Sequence, residues 1–217
     1  MSYSCAVADT RQRVLDTARE LFNRRGLARV GVRDVARAAA MSPGNLAYHF
    51  PTRDDLVAAL VMELNQLNGR TVFASLPDDF SLVTLYRTAL VVMRNMLAYR
   101  FILLSYVEAV RSSRELEKLE HSLWVERRRR SDAMMELLAR NGYLVRRTIA
   151  ARREMLHEQV QLVSSGWLAA AALRPDRMDD GAAVLHYGKV GCALLDGCCT
   201  PRGKRQLARI LAGAYDA

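Results

Sequence analysis

Cysteine is scarce in this chain. Four occur in 217 residues, Cys5, Cys192 and the adjacent Cys198 and Cys199, a usage that argues against a disulfide framework. No histidine or second cysteine pair stands at ligand spacing from them, so no metal and no cofactor is expected. Long hydrophobic runs are missing too. The longest uncharged stretch, Gln159 to Leu173, falls short of the ~20 apolar residues of a membrane span and contains Gln161, Ser164 and Ser165. No apolar signal core precedes Asp9 and Arg11, so the expectation is a cytoplasmic protein without a membrane partner. Paired catalytic carboxylates and a nucleophile with its base are also lacking, which speaks against an enzyme. Lysine is nearly absent: three against 29 arginines, a bias that fits GC-rich coding. The formal charge of +9 and pI near 9.8 favour a polyanionic partner. Residues 1–55 hold nine arginines and six acids, so basicity alone does not locate the surface that meets it.

What is present is helical periodicity. Val14, Leu15, Ala18, Leu21 and Phe22 form one apolar stripe on a helix that starts after Asp9 or Thr10 and stops at Gly26. Further helices are predicted at Val32–Ala39, Pro43–Phe50 and from the Thr52/Asp55 capping box to about Asn68. Past the break at Pro77 come Leu82–Ala98, Phe101–Val110, Arg114–Arg140, Thr148–Leu173, Asp180–Cys199 and Lys204–Ala214. With no strand alternation and no repeat, the fold class is all-α, in two domains joined through the fourth helix.

Residues 26–50 carry the most information. Ser42 reads as an N-cap with Pro43 at the first helical position, where a missing N–H costs nothing. Leu46 and Phe50, four apart, anchor this short helix to a core. The opposite side presents Pro43, Gly44, Ala47 and Tyr48, with Asn45 and His49 along one edge. A bare small-residue face with a few hydrogen-bonding groups suits the floor of a DNA major groove.

From Thr10 to Leu60 the chain resembles the DNA-binding domain of the tetracycline-repressor (TetR) family of bacterial regulators. The resemblance rests on four ordered pieces: Glu20-Leu21-Phe22…Arg25-Gly26, Val32-Arg33-Asp34-Val35-Ala36, Ser42-Pro43-Gly44-Asn45-Leu46 with His49-Phe50, and Arg53 through Leu56. It implies a helix-turn-helix domain over 8–66 and a helical effector-binding and dimerisation domain over 67–217. By the same resemblance, His49 and Arg53 grip phosphates, helped by N–H groups at Thr52, and Ser42 belongs to the DNA-binding set. Gly44, Asn45 and Tyr48 are the candidates for base edges, and Arg33 for either task. Three positions depart from the family pattern. Gly31 lacks the usual capping hydroxyl, Ala40 stands where the turn usually has glycine, and Ala47 replaces a backbone-touching tyrosine. If Ala40 needs a positive φ, the turn is strained.

In the C-terminal part, 166–173 and Val190–Leu195 are apolar on nearly all sides, so they should be buried all round, most simply against a second copy. The resemblance agrees in placing the dimer interface on the last long helices. Arg127-Arg128-Arg129-Arg130 reads as solvated helix surface, because four consecutive residues cover most of a helix's circumference. Met93, Met96, Met134, Met135 and Met155 either line an adaptable cavity or fill core gaps. Tyr106, Glu108, Trp124, His157 and Trp167 read first as satisfied core groups. The functional expectation is a homodimeric regulator that binds a double-stranded DNA operator and is released by a small-molecule effector. Alternatives are a DNA-binding redox sensor using Cys192, Cys198 and Cys199, or an all-α enzyme or lipid carrier.

Overall fold

The computed structural model describes residues 3–74 and 77–216, with side chains over 9–72 and 77–216; the side chain of Cys5 lies outside that range. Among the described residues there are ten α-helices: α1 (Tyr3–Arg25), α2 (Val32–Ala38), α3 (Pro43–His49), α4 (Arg53–Ala74), α5 (Leu82–Leu97), α6 (Arg100–Ser112), α7 (Arg114–Arg140), α8 (Arg146–Ala172), α9 (Asp180–Ala193) and α10 (Pro201–Leu211). Two short 3-10 turns, Leu27–Arg29 and Asp196–Cys198, complete the set. An isolated bridge between Leu144 and Cys199 is the sole extended pairing described. By packing, the chain forms two units, residues 1–66 with 99–122, and 67–98 with 123–217. Residues 99–122 thus share the N-terminal unit's core.

In the first unit the α1 stripe does what its period requires: Val14, Leu15, Ala18, Leu21 and Phe22 are all buried. They pack in a core with Val35, Leu46, Phe50, Leu56 and Leu60. Gly26, at φ 79, ends α1 in a backbone region that only glycine enters without cost. The start of α6 is pinned to α1. The Phe101 ring lies 5.2 Å from Phe22, and the Phe101 N–H donates to Asn23 Oδ1 at 3.1 Å. Just before it, Tyr99 donates its hydroxyl to Glu63 Oε1 at 2.9 Å and accepts from Arg19 at 3.2 Å.

In the second unit α5 packs on α9 where Gly188 has no side chain; a Cβ there would sit 2.7 Å from Leu90. Tyr86 donates to Asp216 Oδ1 at 2.8 Å and Lys189 to Asp216 Oδ2 at 2.6 Å, tying α5, α9 and the C-terminal residues together.

Several boundaries differ from the periodicity reading. α1 begins at Tyr3 rather than after Asp9. α4 continues past Asn68 to Ala74 because Asn68 and Thr71 are engaged by Asn95 of α5, at 3.1 and 3.4 Å. α9 ends at Ala193, not Cys199, because the next residues curl into a 3-10 turn whose Cys198 carbonyl accepts from Val145 N–H at 2.8 Å. α10 starts at Pro201, not Lys204, since Thr200 caps it by accepting from Gly203 N–H at 3.1 Å.

The arginine run corrects the sequence reading. Only Arg129 is exposed. The Arg130 side chain, 11% exposed, pairs with Glu126 and fills the space that the missing Cβ of Gly69 leaves open. Arg128 pairs with Glu154 and lies over the Trp124 ring at 5.1 Å. A run spanning the circumference must put some members inward, and here acids and an aromatic face receive them.

Candidate nucleic-acid interface

The site is built on two short helices, α2 and α3, on the start of the longer α4, and on the turns between them. α2 opens at Gly31, which supplies no side-chain cap, but its N–H donates to Asp34 Oδ2 at 3.0 Å, half of a capping box. α2 closes in a Schellman motif. The Ala40 N–H reaches the Arg37 carbonyl at 3.2 Å and the Met41 N–H the Ala36 carbonyl at 2.9 Å. That motif requires a left-handed residue after the cap, and Ala40 adopts φ 53, the one non-glycine residue with positive φ among those described. The turn between α2 and α3 therefore carries the strain foreseen for it.

α3 opens as its sequence predicts. Ser42 Oγ accepts from Asn45 N–H at 3.2 Å with Pro43 at the first position, leaving the Ser42 O–H to donate elsewhere. Leu46 and Phe50 are buried; Ser42, Pro43, Gly44, Asn45, Ala47 and Tyr48 are exposed. Nothing lies within 4 Å of where a Gly44 Cβ would be, so that part of the helix is bare. Tyr48 is 82% exposed, its ring set edge-on to His49 at 5.3 Å. Arg33 projects from α2 with its side chain exposed.

α4 begins in the Thr52/Asp55 capping box, and this changes what Thr52 offers. Its N–H donates to Asp55 Oδ2 at 2.9 Å, its hydroxyl to the same oxygen at 2.7 Å, and it accepts from Asp55 N–H at 3.1 Å. Thr52 is fully engaged by its own helix. Arg53, half-exposed, stands 3.7 Å from Asp54, too far for a well-formed hydrogen bond, so its guanidinium retains donors for an anion. Arg11 lies over the Phe50 ring at 4.9 Å, a cation–π contact that the helical period of α1 alone did not reveal.

The C-terminal candidates scatter. Met93 and Met135 are core, whereas Met155 is exposed. Trp167 is buried beside Tyr187, ring centroids 6.3 Å apart. His157 is buried with Nε2 2.9 Å from Asp132, which also accepts from Arg153 Nε at 2.9 Å. Burial alone would raise the Asp132 carboxyl; the bonds from Arg153 and His157 and their charges outweigh it and hold it below the usual range. Cys192, Cys198 and Cys199 are buried free thiols. Burial pushes the Cys192 thiol up to about 12 and Cys199 to about 11, so both stay protonated at neutral pH, which gives the redox alternative no support. Among the described residues no cluster could hold a metal ion, and no single helix is long and apolar enough to cross a membrane.

The segments predicted to be apolar all round are only partly covered within one chain. Trp167, Leu168 and Ala171 are buried, while Ala170, Ala172 and Leu173 are exposed. Earlier on α8, Ala151, Met155, Glu158, Leu162 and Ser165, spaced alternately four and three apart, lie on an exposed stripe, with Leu162 at 69%.

Sequence and structure comparisons bear on this geometry. The sequence model described as bacterial regulatory proteins, tetR family, matches residues 14–60. A second, TetR, described as a bacterial transcriptional repressor, matches residues 71–207. UidR, an HTH-type transcriptional regulator of Escherichia coli strain K12, is 33% identical over 54 residues. That match covers 25% of this chain and 28% of the relative. A TetR-family regulator from Marinobacter aquaeolei superposes with a TM-score of 0.81 at 20% identity, covering 94% of this chain and 97% of that one. A putative transcriptional regulator from Saccharomonospora viridis, crystallised with choline, gives 0.68 at 17% identity, over 89% and 99%. At these identities the structural likeness concerns the fold.

Proposed function

Since the chain belongs to the tetR family of bacterial DNA-binding transcriptional regulators, we propose that it acts as a homodimeric repressor, released from its operator by a small molecule. Residues 8–66 read DNA, and 67–217 dimerise and sense the effector. The observation that carries the reading is Tyr48, an aromatic 82% exposed on a helix whose other face is buried and whose neighbour Gly44 is bare. A large ring held in water beside a small-residue surface is poorly explained by stability, and well explained by contact with base edges.

In this reading α3 enters the major groove. Gly44 lets the backbone approach, and Asn45 and Tyr48 meet base edges. His49 and Arg53 hold phosphates, and the free O–H of Ser42 donates to another. Arg33 borders the same surface. Thr52 contributes by holding α4's first turn rigid, and reaches a phosphate only by giving up Asp55. A second copy covers the exposed α8 stripe around Met155 and Leu162, so two reading heads meet a two-fold operator. The effector favours a conformation in which the two α3 helices no longer match the half-site spacing. Chromosomal DNA as target places the protein in the cytoplasm.

Mobility-shift assays on fragments of the encoding genome, with sedimentation of the free protein, test this. A discrete shifted complex with one fragment class and a dimer in solution are expected. Leu162→Glu should shift the dimer toward monomer. Uniform binding to all fragments, or a stable monomer at micromolar concentration, would overturn the proposal.

A further inference from the structure

Within the first unit, α6 has an unexplained face. Tyr106 and Ala109 are buried, as an amphipathic helix requires. Yet Leu104, Val107 and Arg111, at i, i+3 and i+7, form a second stripe facing water, with Leu104 51% and Val107 73% exposed. This stripe is one wall of a groove of about 870 Å³ whose other walls are the 3-10 turn Leu27–Arg29 and the start of α4. Arg25, Arg29, Arg53 and Arg111 line it, against a single carboxylate, Glu108.

We propose that this groove takes a small organic anion with an apolar body, and that the bound anion competes with DNA for Arg53. The apolar body lies on Leu104 and Val107, and its carboxylate or sulfonate meets the guanidinium rim. The volume suits a small molecule of that kind. Four guanidinium groups line the groove against one lining carboxylate, Glu108, and Asp54 3.7 Å from Arg53, so the rim stays short of negative charge, and guanidinium forks match a carboxylate bidentately. A DNA backbone would satisfy the arginines but has no use for an exposed leucine and valine. This inference rests on the reading of Arg53 as a phosphate contact. It adds a local route to release, in which the ligand occupies a DNA-gripping side chain directly. Linkage makes the effect reciprocal, so DNA must weaken anion binding by the same factor.

The test uses the full chain, with decanoate as probe and decyltrimethylammonium as its cationic counterpart, both below micelle-forming concentration. Calorimetry should show decanoate binding and no binding of the cation. Val107→Ser and Arg111→Gln should each weaken decanoate by about tenfold, as expected for loss of one good contact. Both are surface changes, so their melting temperatures should match the parent chain, and Val107→Ser, which adds no charge, should leave DNA affinity unchanged. Saturating decanoate should lower DNA affinity about fivefold or more and make its salt dependence shallower by about one phosphate contact. Arg53→Ala should remove that sensitivity. Unchanged decanoate binding by both groove variants would overturn the proposal. So would binding with no effect on DNA affinity, or binding only to phosphatidylglycerol vesicles. If the ligand-free chain bound no DNA at all, the regulator reading would fail, and the calorimetry would still judge the groove separately.

Discussion

Replacing Ala40 by glycine should stabilise this protein. Ala40 sits at φ 53 in the Schellman turn that closes α2, with its N–H on the Arg37 carbonyl and the next N–H on Ala36. Both bonds depend on the left-handed conformation, so the chain cannot relax the residue without losing them. A side chain in that region costs about 1–2 kcal/mol. Glycine removes the cost but gives the unfolded chain more freedom, which takes back about 0.4–1 kcal/mol. The balance for Ala40→Gly is a gain of roughly 0.8 kcal/mol, or about 2–3 °C in melting temperature for a chain of this size. Circular dichroism melts, with urea denaturation as a second measure, read this directly. Asn, which tolerates the left-handed region, should fall between glycine and alanine, and valine should be worst. If glycine were neutral or destabilising and valine harmless, Ala40 would not be held in that conformation and the strain argument would be wrong.

Other expectations follow from the interface and the core. Arg53→Ala should weaken binding to all DNA sequences and reduce the salt slope by about one, measured by fluorescence anisotropy across a salt series; a loss confined to the operator would make Arg53 a base reader. Tyr48→Ala should cost about 1–3 kcal/mol at the operator and little on scrambled DNA if the ring meets a base. If Tyr48 has instead taken over the phosphate contact vacated at Ala47, Tyr48→Phe should weaken both equally, and no effect from either change would exclude both roles. Asp132→Asn should destabilise the protein at pH 7 by about 1–2 kcal/mol through lost bonds to Arg153 and His157. Because the folded carboxyl titrates below its ordinary value, its contribution is present above about pH 4 and vanishes as pH falls through the folded value. Denaturation of both forms across pH should therefore converge in acid, and a constant difference would contradict this.

Much of the reading head was legible because its signals are local. Ser42-Pro43, the Thr52/Asp55 box and the Val14–Phe22 stripe are all decided within a few residues, and α7 runs over the predicted Arg114–Arg140. The misreadings arose where tertiary neighbours intervene. Asn68-Gly69 looked like a helix end, yet Asn95 and Arg130, distant in sequence, stabilise the helix through it. The Arg127–Arg130 run gave no hint that Glu126, Glu154 and Trp124 would engage its members. α6 buries Phe101, Tyr106 and Ala109 and leaves Leu104 and Val107 to water, a split that its nearly continuous apolar run did not mark. The engagement of Thr52 was also hidden, because a capping box and a phosphate contact draw on the same donors.

In the proposed complex two copies present α3 to successive turns of one DNA face. Hydroxyl-radical footprinting of the purified protein on a fragment selected from its own genome tests it directly. Two protected patches about one helical turn apart, ~34 Å centre to centre and related by a two-fold axis, are expected, both lost together with Tyr48→Ala or Arg53→Ala. A single patch, or even coating of the whole fragment, would contradict it.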